Sequence, residues 1–237
     1  MAGPAENPQN SVSPDGREKS GIRGPAPAAV ASPDAADVPE PIPPSLRSQA
    51  KANRRQAMLN AAARLFAQHG YNRVSIEELG AAAGVSGPAV YRHFSGKQAV
   101  LAALLVGVSE DLNTGGSAVV AQAVGDDAAL RGLIRFHVDF ALSNPDVIRV
   151  QDRDLGNLAE ADQKSVRTLQ RHYIDQWVAV LGRLQPGCTG ATLRLKVQAT
   201  FGLINSTPHS ARSPGRNVDA RAARPVLEAM ARAGLLA

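Results

Sequence analysis

The chain has 237 residues, 44% hydrophobic but only 4% aromatic, so alanine, leucine and valine must fill its core, which suits close-packed helices better than strands. Its one cysteine, Cys188, excludes an internal disulfide framework and a cysteine-based metal cluster within one chain. The net charge of +5 divides unevenly, into −3 over residues 1–46, +6 over 47–97 and +2 over the remainder, and so concentrated a positive field points to a polyanionic partner.

Residues 1–46 hold ten of the sixteen prolines and no periodic apolar pattern. Such a Pro/Ala-rich segment cannot bury enough surface to offset its ordering entropy, which predicts a disordered tail. From Arg47 the pattern turns helical, with Met58, Ala62, Leu65 and Phe66 on one side and arginines elsewhere on the cylinder. His69-Gly70 ends this first helix. Ser75 opens a second as N-cap, with Glu78 completing an S-x-x-E capping box, and Gly84 closes it. A short third helix follows Ser86, carries Pro88 in its first turn, and stops at Ser95-Gly96 after roughly two turns. Two short helices joined by a glycine turn, backed by a longer one, make a helix-turn-helix over residues 47–98. Leu65, Phe66, Ile76, Leu79, Val85, Val90 and Phe94 form its shared core.

The rest, residues 99–237, reads as helical throughout. A linking helix runs from Gln98 to about Val108, and Asn113-Thr114-Gly115-Gly116 interrupts or ends it. A helix opened by Asp126-Asp127 passes through Leu130, Ile134, His137 and Ala141 and stops at Asn144-Pro145. "DVIRVQDRDLGNL" is a less regular patch. The longest periodic stretch spans about Glu160 to Leu184, and Pro186-Gly187 breaks it. A helix from Thr189 to about Asn205 carries Leu195, Ala199 and Leu203 on one stripe. "STPHSARSPGRN" is a loop, and a last helix covers about Ala222 to Leu235 with Pro225 in its first turn. The fold class is therefore all-α. No apolar run reaches the roughly 18 residues of a membrane span, and the first 30 residues lack an apolar signal core, so the sequence reads as soluble and cytoplasmic, with no membrane partner.

The chemistry concentrates on the third helix. Ser86, Gly87 and Ala89 are small enough for the backbone to approach the floor of a major groove about 12 Å wide, and the Ala89 methyl can touch a thymine methyl. Pro88 presets a helix whose N-terminal end can approach phosphate. Tyr91, Lys97 and Ser75 can donate to phosphates, Arg92 can reach a guanine edge or a phosphate, and His93 can bond to either.

The stretch "VSIEELGAAAGVSGPAVYRHFSGKQAVL", Val74 to Leu101, resembles the helix-turn-helix of the TetR family of bacterial transcriptional regulators. The match includes Gly84-Val85-Ser86, Tyr91, His93-Phe94 and Lys97, and "AARLFAQHGYNRVSIEEL" resembles that family's first helix and the entry to its second. The likeness covers about residues 50–105. Gly80 departs from it, since the family more often has alanine there. The resemblance implies that Pro88, Ala89, Tyr91 and His93 face groove and backbone, that Lys97 binds phosphate, and that Ser75 caps and touches phosphate. It further implies a homodimer on a palindromic double-stranded DNA operator, mostly repressing. It implies as well that a small-molecule effector in the C-terminal domain pulls the heads apart, and that the last two long helices, about 189–205 and 222–235, supply the dimer interface.

For the effector, Phe136, Phe140, Tyr173, Trp177 and Phe201 can line a pocket between helices, although taken one position at a time each reads first as packing core. His137 with Asp139, and His172 with Asp175, lack metal-ligand spacing, so no metal or cofactor is expected. No Gly-rich phosphate loop, G-x-S-x-G elbow, H-E-x-x-H or clustered carboxylate motif occurs, so an enzyme is not expected. Two readings remain: a ligand-released repressor, and an effector-independent DNA-binding protein controlled by a protein partner.

Overall fold

The computed structural model describes residues 46–207 and 220–237. The expected disordered tail lies outside the described residues but for its last position, as does most of the expected loop over 206–217. Among the described residues every regular element is helical: α1 (Leu46–His69), α2 (Ile76–Ala82), α3 (Gly87–Tyr91), α4 (Lys97–Gln122), α5 (Asp126–Ser143), α6 (Pro145–Asp154), α7 (Glu160–Leu184), α8 (Gly190–Asn205) and α9 (Ala220–Leu236), with single 3-10 turns at Tyr71–Arg73 and Leu155–Asn157.

Two apolar cores share the bundle. The first joins Met58 and Phe66 of α1 to Ile76, Leu79, Val90 and Phe94 of the head, and continues into Leu101 and Leu105 of α4. The second packs α5, α7, α8 and α9 around Leu133, Trp177, Val197, Leu227 and Leu235. Helix α6 lies on the seam, with Val147 and Val150 in the first core and Ile148 in the second. Of the expected head core, Phe66, Ile76, Leu79, Val90 and Phe94 are buried, while Leu65 and Val85 are partly so.

Four local expectations change. Gly115 and Gly116 neither interrupt nor end the linking helix, and α4 runs unbroken across them. They are small because other helices press on them: a Cβ on Gly116 would stand 2.6 Å from the Tyr173 ring and from Gln176 Oε1, and one on Gly115 would overlap the Phe136 ring. That close approach outweighs the cost of a helical glycine, roughly 1 kcal/mol. The patch after Asn144-Pro145 is a helix, α6, because Pro145 occupies a first-turn position where no N–H is needed. Helix α3 ends at Tyr91, sooner than the expected two turns. The chain stays coiled by bonds from the His93 and Phe94 N–H groups to the Val90 carbonyl, at 2.9 and 3.0 Å. Finally, α9 starts at Ala220, so Pro225 lies past its first turn and removes one helical donor.

The charged end of α6 has a definite role. Arg153 donates to the carbonyls of Phe66 and Ala67, in the last turn of α1, and pairs at 2.9 Å with the buried carboxylate of Asp154. The guanidinium bonds last-turn carbonyls of α1, sharing the Phe66 carbonyl with the Gly70 N–H at 2.8 Å. Helix α6 thus grips the head directly.

Candidate nucleic-acid interface

The head is built from local signals. The Ser75 hydroxyl accepts the Glu78 N–H at 3.1 Å, and the Ser75 N–H donates to Glu78 Oε2 at 2.7 Å, a complete capping box. These two bonds, the Ser75 backbone N–H first, hold the exposed Glu78 carboxyl below the usual carboxylate range. The turn between α2 and α3 needs Gly84, whose φ of 70° is in the left-handed region that other residues rarely adopt. It is closed by the Val85 N–H on the Gly80 carbonyl at 2.9 Å. At Gly80, the departure from the resembled pattern, a Cβ would stand 2.9 Å from the Val85 carbonyl oxygen and 3.1 Å from the Gly87 nitrogen. An alanine here would push α3 away from α2, so the two small residues are not equivalent in this chain.

Helix α3 turns its apolar side, Val90, into the core and leaves Ser86, Pro88, Tyr91 and Arg92 exposed, with Gly87, Ala89 and His93 half-buried. The Ser86 hydroxyl makes no capping bond. Tyr91 is 56% exposed, unusual for so large a ring. His93 Nδ1 is buried with no hydrogen-bond partner among the described residues. Lys97 opens α4, whose first turn holds no acidic residue, so its charge stands against the macrodipole preference. Its ammonium rests 4.6 Å from the Tyr71 ring centroid and 3.4 Å from the Asn72 carbonyl oxygen, close to the α2 capping box. Lys97 and Ser75 are thereby gathered at one end of α2, and Ser86 to His93 follow on the neighbouring rod.

Behind the head, the C-terminal bundle holds a partly open cavity of about 190 Å³. Its apolar wall is Leu112, Phe140, Ile148, Ile174 and Phe201; its polar lining is Ser109, His137, Gln151, Gln170, Tyr173 and Asn205. Of the five aromatics proposed from the sequence, Phe140, Tyr173 and Phe201 line this space. Trp177 is fully buried behind it, edge-on to Phe201 at 5.0 Å between ring centroids. Phe136 faces a second space of about 420 Å³ between α1, α4, α5 and α6, with Leu112 and Phe140 as the common wall. His137 and Asn205 were not singled out as lining residues from the sequence, because a histidine on an apolar helix face reads as ordinary core and Asn205 as a helix end. His137 stacks on Phe201 at 4.3 Å, and its Nδ1 lies 3.4 Å from the Tyr173 hydroxyl. Burial pushes its pKa down to about 4, which the neighbouring Asn205 side chain offsets only in part. Burial likewise raises the Tyr173 phenol.

Helix α8 is apolar on two sides. Leu193, Val197, Thr200 and Ile204 pack inward. The stripe seen in the sequence, Leu195, Ala199 and Leu203, climbs the opposite side, and Leu195 is 66% exposed. On α9, Val226 and Met230 are 57% and 50% exposed, and Met230 shares a shallow groove with the outer stripe of α8.

A family model described as "Bacterial regulatory proteins, tetR family" matches residues 58–104, and one described as "Tetracyclin repressor-like, C-terminal domain" matches residues 125–232. A curated relative, the HTH-type transcriptional repressor KstR2 of Rhodococcus jostii (strain RHA1), is 24% identical over 168 residues, which is 70% of this chain and 81% of the relative. Among solved structures, a TetR-family transcriptional regulator from Bordetella parapertussis 12822 aligns with TM-score 0.66 and 24% identity, covering 76% of this chain and 94% of that one. The transcriptional regulator FadR from Bacillus subtilis in complex with stearoyl-CoA aligns with TM-score 0.58 and 16% identity, over 76% of this chain and 98% of that one.

Proposed function

The chain belongs to the TetR family of bacterial regulatory proteins, and from that premise we propose that it is a homodimeric repressor released from a palindromic operator by a small molecule. It is a DNA-binding transcriptional regulator of a non-enzymatic family. No helix among the described residues is long and apolar enough to cross a membrane, and in this reading the protein works in the cytoplasm, where the operator is.

The observation that carries the reading is the state of α3 and the start of α4. An exposed tyrosine, an exposed arginine and a lysine opposed to its own helix dipole stand together beside small residues. A duplex supplies phosphate oxygens for Tyr91, Lys97 and Ser75, and base edges or methyls for Arg92, His93 and Ala89. Ser86, Gly87 and Pro88 let the backbone come close.

Dimerisation is supported by the outer stripe of α8. A helix apolar on both sides is normally buried on both, and a second copy packing α8 and α9 against their equivalents would cover Leu195, Val226 and Met230. Two heads then read two half-sites, since one makes too few contacts for tight specific binding. Effector release is supported by the cavity's position: Ile148 and Gln151 line it from α6, the helix whose Arg153 holds the last turn of α1. The experiment is a gel-shift titration against the chain's own upstream DNA, repeated with added compounds. The reading predicts two-fold symmetric protection, a dimeric complex and at least one compound that dissolves it. A monomeric complex without sequence preference would contradict it.

A further inference from the structure

We propose that the partly open cavity holds a small uncharged molecule with a ring-sized apolar body and one hydroxyl or amide group, which pairs with His137 and Asn205. This deepens the reading of the chain as an effector-released regulator and rests on it.

Three observations converge. The first is charge. Among the described residues no carboxylate, lysine or arginine lines the cavity, whereas Asp111 and Asp139 line only the groove beyond Leu112 and Phe140. The His137 imidazole is neutral, because burial takes its pKa down to about 4. An anion or cation brought here would be buried without a counter-charge, at a cost of several kcal/mol. A coenzyme A thioester, of the kind bound by the Bacillus subtilis FadR structure, has no cationic partner among the described lining residues. The second is size. About 190 Å³ is slightly more than the roughly 150 Å³ of an apolar cavity that admits benzene, so the space suits one ring with a short substituent.

The third is hydrogen bonding. His137 Nε2 and Asn205 Oδ1 both belong to lining residues and are buried; the Asn205 side chain is near enough to raise the His137 pKa, yet neither atom completes a hydrogen bond among the described residues. His137 itself is 2% exposed. With the Tyr173 hydroxyl as the donor across the 3.4 Å to His137 Nδ1, the imidazole hydrogen is on Nε2. The lining therefore offers one donor at His137 and one acceptor at Asn205. A hydroxyl answers both, accepting from the first and donating to the second, and so does an amide. Leaving either buried group unpaired beside an apolar ligand weakens binding about ten-fold.

Trp177 is the only tryptophan, so its emission reports on the Phe201 wall it touches. In the intact protein, benzyl alcohol, toluene, benzoate, benzylammonium and stearoyl-CoA are titrated against this signal. Benzyl alcohol is expected to give a saturable change, toluene to bind about ten-fold more weakly, and the three charged compounds neither to bind there nor to displace benzyl alcohol. Asn205→Leu, at a half-buried position near a helix end, is expected to abolish the preference for benzyl alcohol while toluene binds as before. That pattern separates a lost pairing from a lost fold. Displacement of benzyl alcohol by benzoate or stearoyl-CoA at comparable concentration would overturn the assignment, as would the absence of any saturable response to benzyl alcohol. If the neutral probe binds as expected but leaves the operator complex intact, the effector reading fails and the cavity assignment stands. If an anion releases DNA by occupying the cavity, the assignment falls and the effector reading stands.

Discussion

The DNA-reading head and the C-terminal bundle are both helical, yet they follow from the sequence in different ways. In the head the determining contacts are local. Ser75 caps its own helix through Glu78, Gly84 makes its own turn, and Val90 and Phe94 sit within a few residues of the backbone they hold. In the bundle the determining contacts are distant. Gly116 is a glycine because of Tyr173, and His137 is neutral because of what α7 and α8 place around it.

The largest expected effect lies in the bundle and is a pH effect. The folded His137 has a pKa of about 4, below the ordinary 6.5, so the unfolded chain takes up a proton that the folded chain refuses. Stability is then undiminished above pH 6.5 and falls as the pH drops from there toward 4, by about 3 kcal/mol in all. Chemical denaturation at a series of pH values should show this limb, and His137→Phe should flatten it while the head's own unfolding contribution stays unchanged. A wild-type limb that His137→Phe leaves intact would remove the contrast between the regions.

Next comes the outer stripe. Leu195→Glu with Met230→Glu should leave each protomer folded but separate the pair, lowering operator affinity about 100-fold as the second head's contribution is lost. Sedimentation together with gel shifts checks both halves. Third, Gly116→Ala should destabilise the chain by roughly 2 kcal/mol, since the overlap with Tyr173 and Gln176 exceeds the gain in helix propensity. A stabilised Gly116→Ala variant would mean that α4 and α7 are not held as closely as described. The smallest effect belongs to the head: Ser75→Ala removes the capping bond to the Glu78 N–H and should cost about 1 kcal/mol in thermal or chemical unfolding.

What the sequence made legible follows the same division. The three-helix head, its caps and the exposed face of α3 could be read because each signal acts within a turn or two. The long apolar period of α7 could be read because Val166, Tyr173, Trp177 and Val180 are themselves the core. Gly115-Gly116 was misleading because the reason for it lies on α5 and α7. Helix α6 was hidden because Asp146, Arg149, Asp152 and Arg153 interrupt its apolar residues, and because Pro145 both ends one helix and begins another. On α8 the stripe of Leu195, Ala199 and Leu203 was visible, but its direction was not, since Leu193, Val197, Thr200 and Ile204 form an equally good stripe that the bundle buries. The cavity was legible only in its aromatics. His137 and Asn205 became candidates once folding placed their buried polar atoms beside one space.

The central claim, that α3 and the start of α4 dock on duplex DNA, is tested most directly by the salt dependence of binding for the wild type, Tyr91→Phe and Lys97→Ala. The account predicts weaker binding by both variants on every sequence tried, with the Lys97→Ala slope of log affinity against log salt shallower by about one. Wild-type affinity and wild-type slope in both variants would contradict it.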